Sequence, residues 1–187
     1  MKKFLFLKIV VIFIILLSLN GGVSAQTGIF TEGDMVINAG VGIGTYINND
    51  NNDYTFSMIV PPITGSFEYG LFKMFDDHAG IGIGGYAGCV VFKGKDRLNL
   101  GNNFNLADII IGPRVLFHYQ FVDNLDTYAG GMIGWDVKNS QASNVPGSRP
   151  CFALFVGARY YITSNIGFFG ELGYGVSPLQ LGLCYKF

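Results

Sequence analysis

The chain has 187 residues, which suits one domain, and a formal net charge of −1 at pH 7. This charge argues against a broad basic surface for nucleic acid, and we expect no nucleic-acid partner. Hydrophobic residues make up 50% of the chain and charged residues only 13%, a low charge content for an ordinary soluble domain.

The N-terminus has the pattern of a secretory signal peptide. Two lysines precede an apolar stretch at 4–19, and the small residues Val23-Ser24-Ala25 follow. A charged start, an apolar middle and a small-residue end define such a peptide. We predict cleavage between Ala25 and Gln26, which gives a signal peptide at 1–25 and a mature domain at 26–187. The alternative is a permanent membrane anchor, but that needs about 20 apolar residues, and the uninterrupted apolar run is shorter.

In the mature chain, apolar side chains recur at every second position over stretches of about ten residues. A period of two is typical of a strand whose two faces differ. The clearest case is 107–121, where the odd positions are apolar and the even positions include Asp108, Arg114 and His118. We predict eight antiparallel strands within 35–44, 63–70, 80–91, 107–121, 127–138, 152–162, 168–175 and 179–187.

The less apolar face of these strands indicates a membrane barrel. It is rich in glycine and carries few charges, whereas a water-facing strand surface is usually dense with Lys, Glu, Thr and Ser. A narrow barrel interior needs small residues and a few charges that can pair. An open sheet edge cannot lie in lipid, so the barrel must be closed. The predicted fold is all-β, an eight-stranded antiparallel up-and-down transmembrane β-barrel.

The connections predict the orientation. Those at 72–78, 122–126 and 164–165 are short, and those at 47–53, 93–103 and 139–150 are longer and polar. Short periplasmic turns and long outer loops are the rule for this class, which places both termini in the periplasm. Lipid-facing aromatic residues should form girdles at both interfaces. The expected periplasmic girdle is Tyr69, Phe117, Tyr119, Phe121, Tyr160, Phe168, Tyr185 and Phe187, and the outer girdle is Trp135, Phe152 and Tyr174.

The end of the chain carries a family resemblance. Gln180-x-Gly182-x-x-Tyr185-x-Phe187 resembles the C-terminal signal by which the barrel assembly machinery recognises its clients. With the segments 157–161 (Gly-Ala-Arg-Tyr-Tyr) and 171–175 (Glu-Leu-Gly-Tyr-Gly), the mature chain resembles the outer membrane protein β-barrel domain family. This family includes small OmpA- and OmpX-like, porin-like barrels of Gram-negative cells. The resemblance implies an outer-membrane location, contact with outer-membrane lipid, and assembly with periplasmic chaperones and the barrel assembly machinery.

Seven charged residues face the predicted interior. They are Glu68, Asp108, Arg114, Asp136, Arg159, Glu171 and Lys186. We expect Arg159 and Glu171 to lie almost opposite each other across the Ser164-Asn165 turn and to pair, because an unpaired buried charge is costly. Two interpretations stay open, a selective polar path and a salt-bridged plug. Eight strands enclose a space about wide enough for side chains to fill, which favours the plug.

Other features predict no catalytic, cofactor or metal site. The alternating glycines at 40–44 and 80–85 lie within strands, without the following helix that a dinucleotide loop needs. Asn48–Asp53 lacks the spaced ligands of a calcium loop, although weak ion binding stays open. His118 could approach Glu68, but no Ser–His pattern accompanies it. Cys89, Cys151 and Cys184 are expected to be free thiols, because Cys151 and Cys184 lie toward opposite ends of the barrel.

Three functional hypotheses follow. The leading one is a non-enzymatic outer-membrane barrel with a role in envelope structure or in surface interaction, whose surface partner the sequence does not identify. The second is a small passive conduit for ions or a hydrophobic solute. The third, an outer-membrane lipid-modifying enzyme, would need a histidine-centred site that the sequence pattern does not supply.

Overall fold

The computed structural model describes residues 30–47, 54–74, 78–96, 103–140 and 147–187, without the side chains of Asp96 and Ser140. The predicted signal peptide, its cleavage site and the Asn48–Asp53 segment lie outside these residues. The described residues contain no helix long and apolar enough to cross a membrane. They form eight strands: β1 Met35–Ile43, β2 Tyr54–Met74, β3 Ala79–Asp96, β4 Asn103–Val122, β5 Leu125–Ser140, β6 Arg149–Tyr161, β7 Ile166–Tyr174 and β8 Leu179–Lys186.

The strands form one closed antiparallel ring in chain order, which confirms the predicted fold class. The ring closes where β1 pairs with β8, from Val36 opposite Lys186 to Ile43 opposite Leu179. Closure leaves this seam without a free edge. We call the end of the barrel with the strand connections 75–78, 123–124 and 162–165 the turn end, and the opposite end the loop end.

The alternation of side chains follows the predicted pattern. On β4, Ile109, Ile111 and Val115 are exposed on the outer wall, whereas Ile110 and Leu116 are buried inside. On β5, where the sequence pattern is weakest, Ile133 and Trp135 are exposed and Asp136 is buried, as predicted. The outer wall of these strands is therefore apolar, and Asp108, Arg114 and Asp136 point into the lumen.

One predicted girdle residue differs from the others. Tyr185 occupies an outward position beside Ile37 and Ile166 in the sheet, yet only 8% of it is exposed. The ring of Phe187 packs edge-on against it, with the centroids 4.9 Å apart. Tyr185 is thus covered by its neighbours, while the other predicted girdle residues are exposed on the outer wall.

Several strands are longer than predicted. β2 begins at Tyr54 rather than near Ile63, because the strand continues through register shifts between Met58 and Ile63. Bulges of this kind reverse the alternation of side chains, so the period-two pattern is interrupted there. Pro61-Pro62 is also more typical of a loop than of a strand. Together these features hide the start of β2 in the sequence. β3 likewise continues to Asp96, so part of the predicted 93–103 connection is strand.

The added length projects from one side of the barrel at the loop end. β2 pairs with β1 only up to Ile63 opposite Val41, so 54–62 pairs with β3 alone among the described residues. We call 54–62, 91–96 and 103–107 the sheet extension. Tyr54 and Phe56 pack edge-on against Phe104 in it, with ring centroids 5.0 Å and 5.7 Å apart.

Candidate functional site: charge networks in the lumen

Six of the seven predicted interior charges lie deep inside the barrel. Each of the six side chains is at most 3% exposed. They come from five strands, β2, β4, β5, β6 and β7, and they are Glu68, Asp108, Arg114, Asp136, Arg159 and Glu171. The structure separates them into two groups at different heights of the lumen.

The first group lies toward the turn end and is centred on Arg159 of β6. The Arg159 guanidinium donates to Glu68 of β2 and to Asp126 of β5, the latter at 3.0 Å. Its Nε donates to the Asn38 side-chain oxygen at 3.1 Å. Arg159 therefore crosses the lumen and joins three other strands through charge-assisted hydrogen bonds.

Arg114 of β4 extends the same group. Its Nη2 lies 2.7 Å from Glu171 Oε1 and 3.3 Å from Glu68 Oε1. Glu68 is thus shared between two guanidinium groups. Pairing of this kind offsets the large cost of removing charges from water. We call Glu68, Arg114, His118, Asp126, Arg159 and Glu171 the turn-end network.

Histidine and aromatic rings complete the turn-end network. His118 Nδ1 lies 2.9 Å from Asp126 Oδ1, and its Nε2 lies 3.6 Å from Glu68 Oε2. The Tyr128 hydroxyl donates to Glu171 at 2.9 Å, and the Arg159 guanidinium carbon lies 4.5 Å from the centre of the Tyr128 ring. Such ring contacts stabilise a desolvated cation.

The predicted pairing of Arg159 with Glu171 is wrong. Arg159 lies opposite Phe169, and Glu171 lies opposite Gly157, one inward position away. The turn is longer than the two residues assumed, because β6 ends at Tyr161 and β7 begins at Ile166. Glu171 therefore reaches Arg114 on a distant strand. Lys186, also predicted to face inward, lies 3.8 Å from Asp34 at the turn end.

The second group lies toward the loop end. Lys138 Nζ lies 3.0 Å from both Asp108 Oδ2 and Asp136 Oδ2. Arg149 Nε lies 3.3 Å from Asp136 Oδ2, and the Arg149 side chain is 47% exposed. This loop-end group is therefore partly accessible to solvent, unlike the turn-end network.

Apolar side chains, which we call the apolar layer, surround the second group in the loop-end half of the lumen, with Leu106 on the loop-end side of Asp108 and Ile110 on its turn-end side. The apolar layer is a packed cluster of Tyr86, Val90, Phe92, Leu106, Ile110, Met132, Ala153 and Val176. A second cluster, Phe30, Val36, Tyr161 and Cys184, closes the turn end. Paired charges and packed apolar side chains thus occupy the lumen in the described part of the chain, an arrangement that is consistent with the plug interpretation.

Sequence reasoning missed several members of these networks. Asp126 was placed in a turn, but that turn contains only Asp123 and Asn124, and Asn124 has a positive φ of 62°. Asp126 and Lys138 share the even-numbered positions with Asp136, and this parity could have revealed both. Phe30 precedes the first strand, and no periodic signal marks it.

The four residues of the C-terminal pattern lie at the seam with β1. Gly182 lies opposite Gly40, and Gln180 accepts a 3.4 Å hydrogen bond from the Tyr86 hydroxyl inside the lumen. Tyr185 and Phe187 lie on the outer side. Recognition of this pattern by the assembly machinery stays a prediction. The three cysteines are free, as expected, and the described residues form no cluster of ligands suited to a metal ion.

No protein-family model matches the chain, and no curated protein matches it. Solved structures do match. The outer membrane protein OprG from Pseudomonas aeruginosa gives a TM-score of 0.53 at 12% identity, over 86% of this chain and 98% of OprG. The N-terminal β-barrel domain of OprF from the same species gives 0.43 at 15% identity, over 87% and 100% of the two chains. Ail, the attachment invasion locus protein of Yersinia pestis, gives 0.42 at 15% identity, over 84% and 100%.

Fold and lumen together define the class of this protein. It is an eight-stranded up-and-down β-barrel of the transmembrane type, with a closed ring of strands, an apolar outer wall and charges paired inside. More particularly, the predicted resemblance to small outer-membrane barrels is confirmed at the level of the fold, through the match to OprG.

Proposed function

We propose that this chain is an integral outer-membrane protein whose sealed, non-enzymatic barrel displays the sheet extension for interaction at the cell surface. One arrangement carries the proposal: paired charges and packed apolar side chains occupy the lumen, while β2 and β3 continue beyond the last pair that β2 makes with β1. A conduit needs an open lumen, and a scaffold for surface contacts needs elements that project from the membrane.

The outer wall supports the membrane location. Along β6, Phe152, Leu154, Val156 and Tyr160 are each more than half exposed and face outward. A soluble protein rarely exposes so continuous an apolar surface, whereas lipid requires one. Exposed aromatic rings occur toward both ends of the barrel, where the two membrane interfaces would lie. Outer-membrane lipid is therefore the proposed permanent partner.

Export and assembly follow from the same proposal. The chain would be exported behind residues 1–25, cleaved between Ala25 and Gln26, and inserted by the barrel assembly machinery after contact with periplasmic chaperones. N-terminal sequencing of the protein from the outer-membrane fraction should find Gln26 first. A chain that still begins at Met1 would contradict cleavage.

The sheet extension supports a surface role. Among the described residues, the pairing of β2 with β1 ends at Ile63 opposite Val41, so the extension continues past the last β1 pair. Met58 and Ile59 are exposed there. Exposed apolar side chains on a projecting element are suited to contact a partner protein.

The turn-end network does not favour catalysis. The carboxylates near His118, Glu68 and Asp126, bind the guanidinium groups of Arg159 and Arg114. The negative charges of these carboxylates are therefore already paired within the network. His118 itself is 2% exposed and stacks on Phe30. A substrate would have to displace these contacts, and for this reason we propose a structural role for the network.

The test is single-channel conductance of the refolded 26–187 domain in a planar bilayer. No conductance steps are expected for the wild type or for Arg159→Ala, because the packed apolar layer in the loop-end half of the lumen does not depend on Arg159. Reproducible steps in the wild type would overturn the proposal in favour of a conduit. Unboiled protein from the outer-membrane fraction should also migrate differently from boiled protein in a gel, and its release by carbonate would contradict membrane integration.

A further inference from the structure

Phe30 enters the barrel from the turn end, ahead of β1. Its side chain is 2% exposed, and its ring stacks on His118 with centroids 4.1 Å apart and an interplanar angle of 27°. It also packs with Val36, Tyr161 and Cys184. Phe30 therefore lies directly between the turn-end network and the outside of the barrel.

Glycines on β2 and β3 form the seat for this segment. A Cβ at Gly82 would lie 2.7 Å from the Phe30 ring, and a Cβ at Gly80 would lie 3.0 Å from the Phe30 carbonyl oxygen. Gly70 accepts a backbone hydrogen bond from Gly33 at 3.0 Å and donates one to Asp34 at 2.9 Å. Any larger side chain at Gly82 would compete with the ring for the same space.

The segment 30–34 lies outside the ring of strands. It folds as a local turn in which the Thr31 amide donates to Asp34 Oδ2 at 2.8 Å and the Asp34 amide donates to the Thr31 oxygen at 3.0 Å. Gly33 has a φ of 88°, a left-handed conformation that glycine adopts without strain. The segment can therefore leave its seat while every strand pair of the barrel stays intact. Segments outside a strand ladder open locally more readily than a strand core.

Some buried polar atoms of the turn-end network and of Tyr161 are suited to bind water. Among the described residues, Arg114 Nε, His118 Nε2 and the Tyr161 hydroxyl are buried and make no hydrogen bond. Buried polar groups normally have a partner, which can be an ordered water. Access of water to these atoms would stabilise the turn-end network.

We propose that residues 30–34 form a lid on the turn end, and that its opening admits water and small solutes to the turn-end network. The apolar layer packs the loop-end half of the lumen whether the lid is seated or not, so the proposed entry to the network is from the turn end. The Asp34–Lys186 ion pair, at 3.8 Å, fastens the lid to β8.

Cys184 is a native reporter of the lid. It is 2% exposed and belongs to the cluster that Phe30 completes. In a Cys89→Ala, Cys151→Ala background it is the one remaining thiol. The refolded barrel in detergent micelles is treated with a small water-soluble methanethiosulfonate reagent, and labelling of Cys184 is followed by mass spectrometry.

Two variants open the lid in different ways. Phe30→Ala removes the ring, and Gly82→Ala places a methyl group where the ring lies. We expect each to raise the labelling rate on the order of tenfold or more, because the closed state loses the burial of an aromatic ring. Matched controls are Phe121→Ala, an exposed ring at the same end, and Gly85→Ala, where a Cβ has nothing within 4 Å.

The Cys184 labelling rates distinguish a lid that opens from a turn end that does not change. Fast labelling in Phe30→Ala and Gly82→Ala, with slow labelling in the wild type and both controls, supports the lid. Wild-type rates in both variants would overturn it, as would wild-type labelling as fast as that of urea-unfolded protein. Heat-modified gel mobility checks that each variant folds. If Phe30→Ala does not fold, Gly82→Ala and the wild-type rate still decide the question.

Discussion

Arg159 of β6 binds Glu68 of β2 across the barrel lumen, and both side chains are fully buried. The two strands are not neighbours in the ring, so this contact joins opposite walls rather than adjacent strands. Glu68 also lies near Arg114 of β4, and Arg159 also binds Asp126 of β5. The walls of the barrel are therefore tied together through its centre as well as through the sheet.

Removing Arg159 should destabilise the barrel strongly. Arg159→Met leaves Glu68 and Asp126 buried without their shared cation, and breaking a buried pair in this way costs about 3–5 kcal/mol. The measurement is urea unfolding of the refolded barrel in phospholipid vesicles, followed by tryptophan fluorescence.

The matched control for this prediction is Arg149→Met, which removes a half-exposed arginine from the loop-end group. An exposed pair contributes about 0–1 kcal/mol, so this variant should unfold close to the wild type. An equal decrease in the free energy of unfolding in Arg149→Met and Arg159→Met would show that burial of the turn-end network does not determine how much it stabilises the barrel.

The outline of the barrel was predictable from the sequence for a simple reason. Side chains alternate along a strand, so the parity of Asp108, Arg114 and Glu171 alone places them inside. The ends of β2 were not predictable in the same way, because the bulges between Met58 and Ile63 interrupt the parity.

The partners of the interior charges were not predictable. Which charges meet depends on the strand register and on reach across the lumen, and neither is encoded in alternation along a single strand. Arg159 and Glu171 are close in sequence, yet a turn longer than two residues shifts them past each other. Phe30 carries no pattern at all, and only the glycine seat on β2 and β3 explains its position.

The apolar layer gives a second stability prediction. Leu106 is fully buried in this layer, and Leu106→Ala should cost about 2–5 kcal/mol through lost contacts and the cavity left behind. Leu154→Ala is the control, because Leu154 is 63% exposed on the outer wall and its loss leaves no internal cavity. Urea unfolding of both variants in the same vesicles provides the comparison. Equal destabilisation would contradict a packed layer in the lumen.

Gly182 should be needed for closure of the ring. A Cβ at this position would lie 2.6 Å from the Phe169 ring and equally close to the Gly40 Cα, so the seam between β1 and β8 would have to shift. We expect Gly182→Ala to destabilise the refolded barrel by about 1–3 kcal/mol, the usual cost of overpacking. Refolding in vitro needs no assembly machinery, so this measurement separates closure from recognition of the C-terminal pattern.

Gly170→Ala is the control for the seam, because its Cβ would first meet the flexible end of Leu181 at 3.3 Å. Gly170 lies opposite Leu181 on β8, one strand away from the seam. If both alanine variants keep the wild-type gel mobility and unfolding midpoint, the tight contact at Gly182 does not limit closure.

The proposed orientation makes a prediction for living cells. In a variant without native cysteines, Lys95→Cys places a thiol in the sheet extension, and Asp123→Cys places one in a connection at the turn end. Both positions are exposed. Short turns face the periplasm in barrels of this class, so a membrane-impermeant thiol reagent should label only Lys95→Cys on intact cells.

Permeabilising the outer membrane should then expose Asp123→Cys to the same reagent, which shows that its thiol is reactive when reached. Because a closed barrel spans lipid in one direction, the two ends cannot both be outside in a single population of inserted molecules. Labelling of Asp123→Cys alone on intact cells would reverse the orientation and place the sheet extension in the periplasm. Equal labelling of both variants before permeabilisation would argue against a spanning barrel, because no membrane would then separate the sheet extension from the turn end.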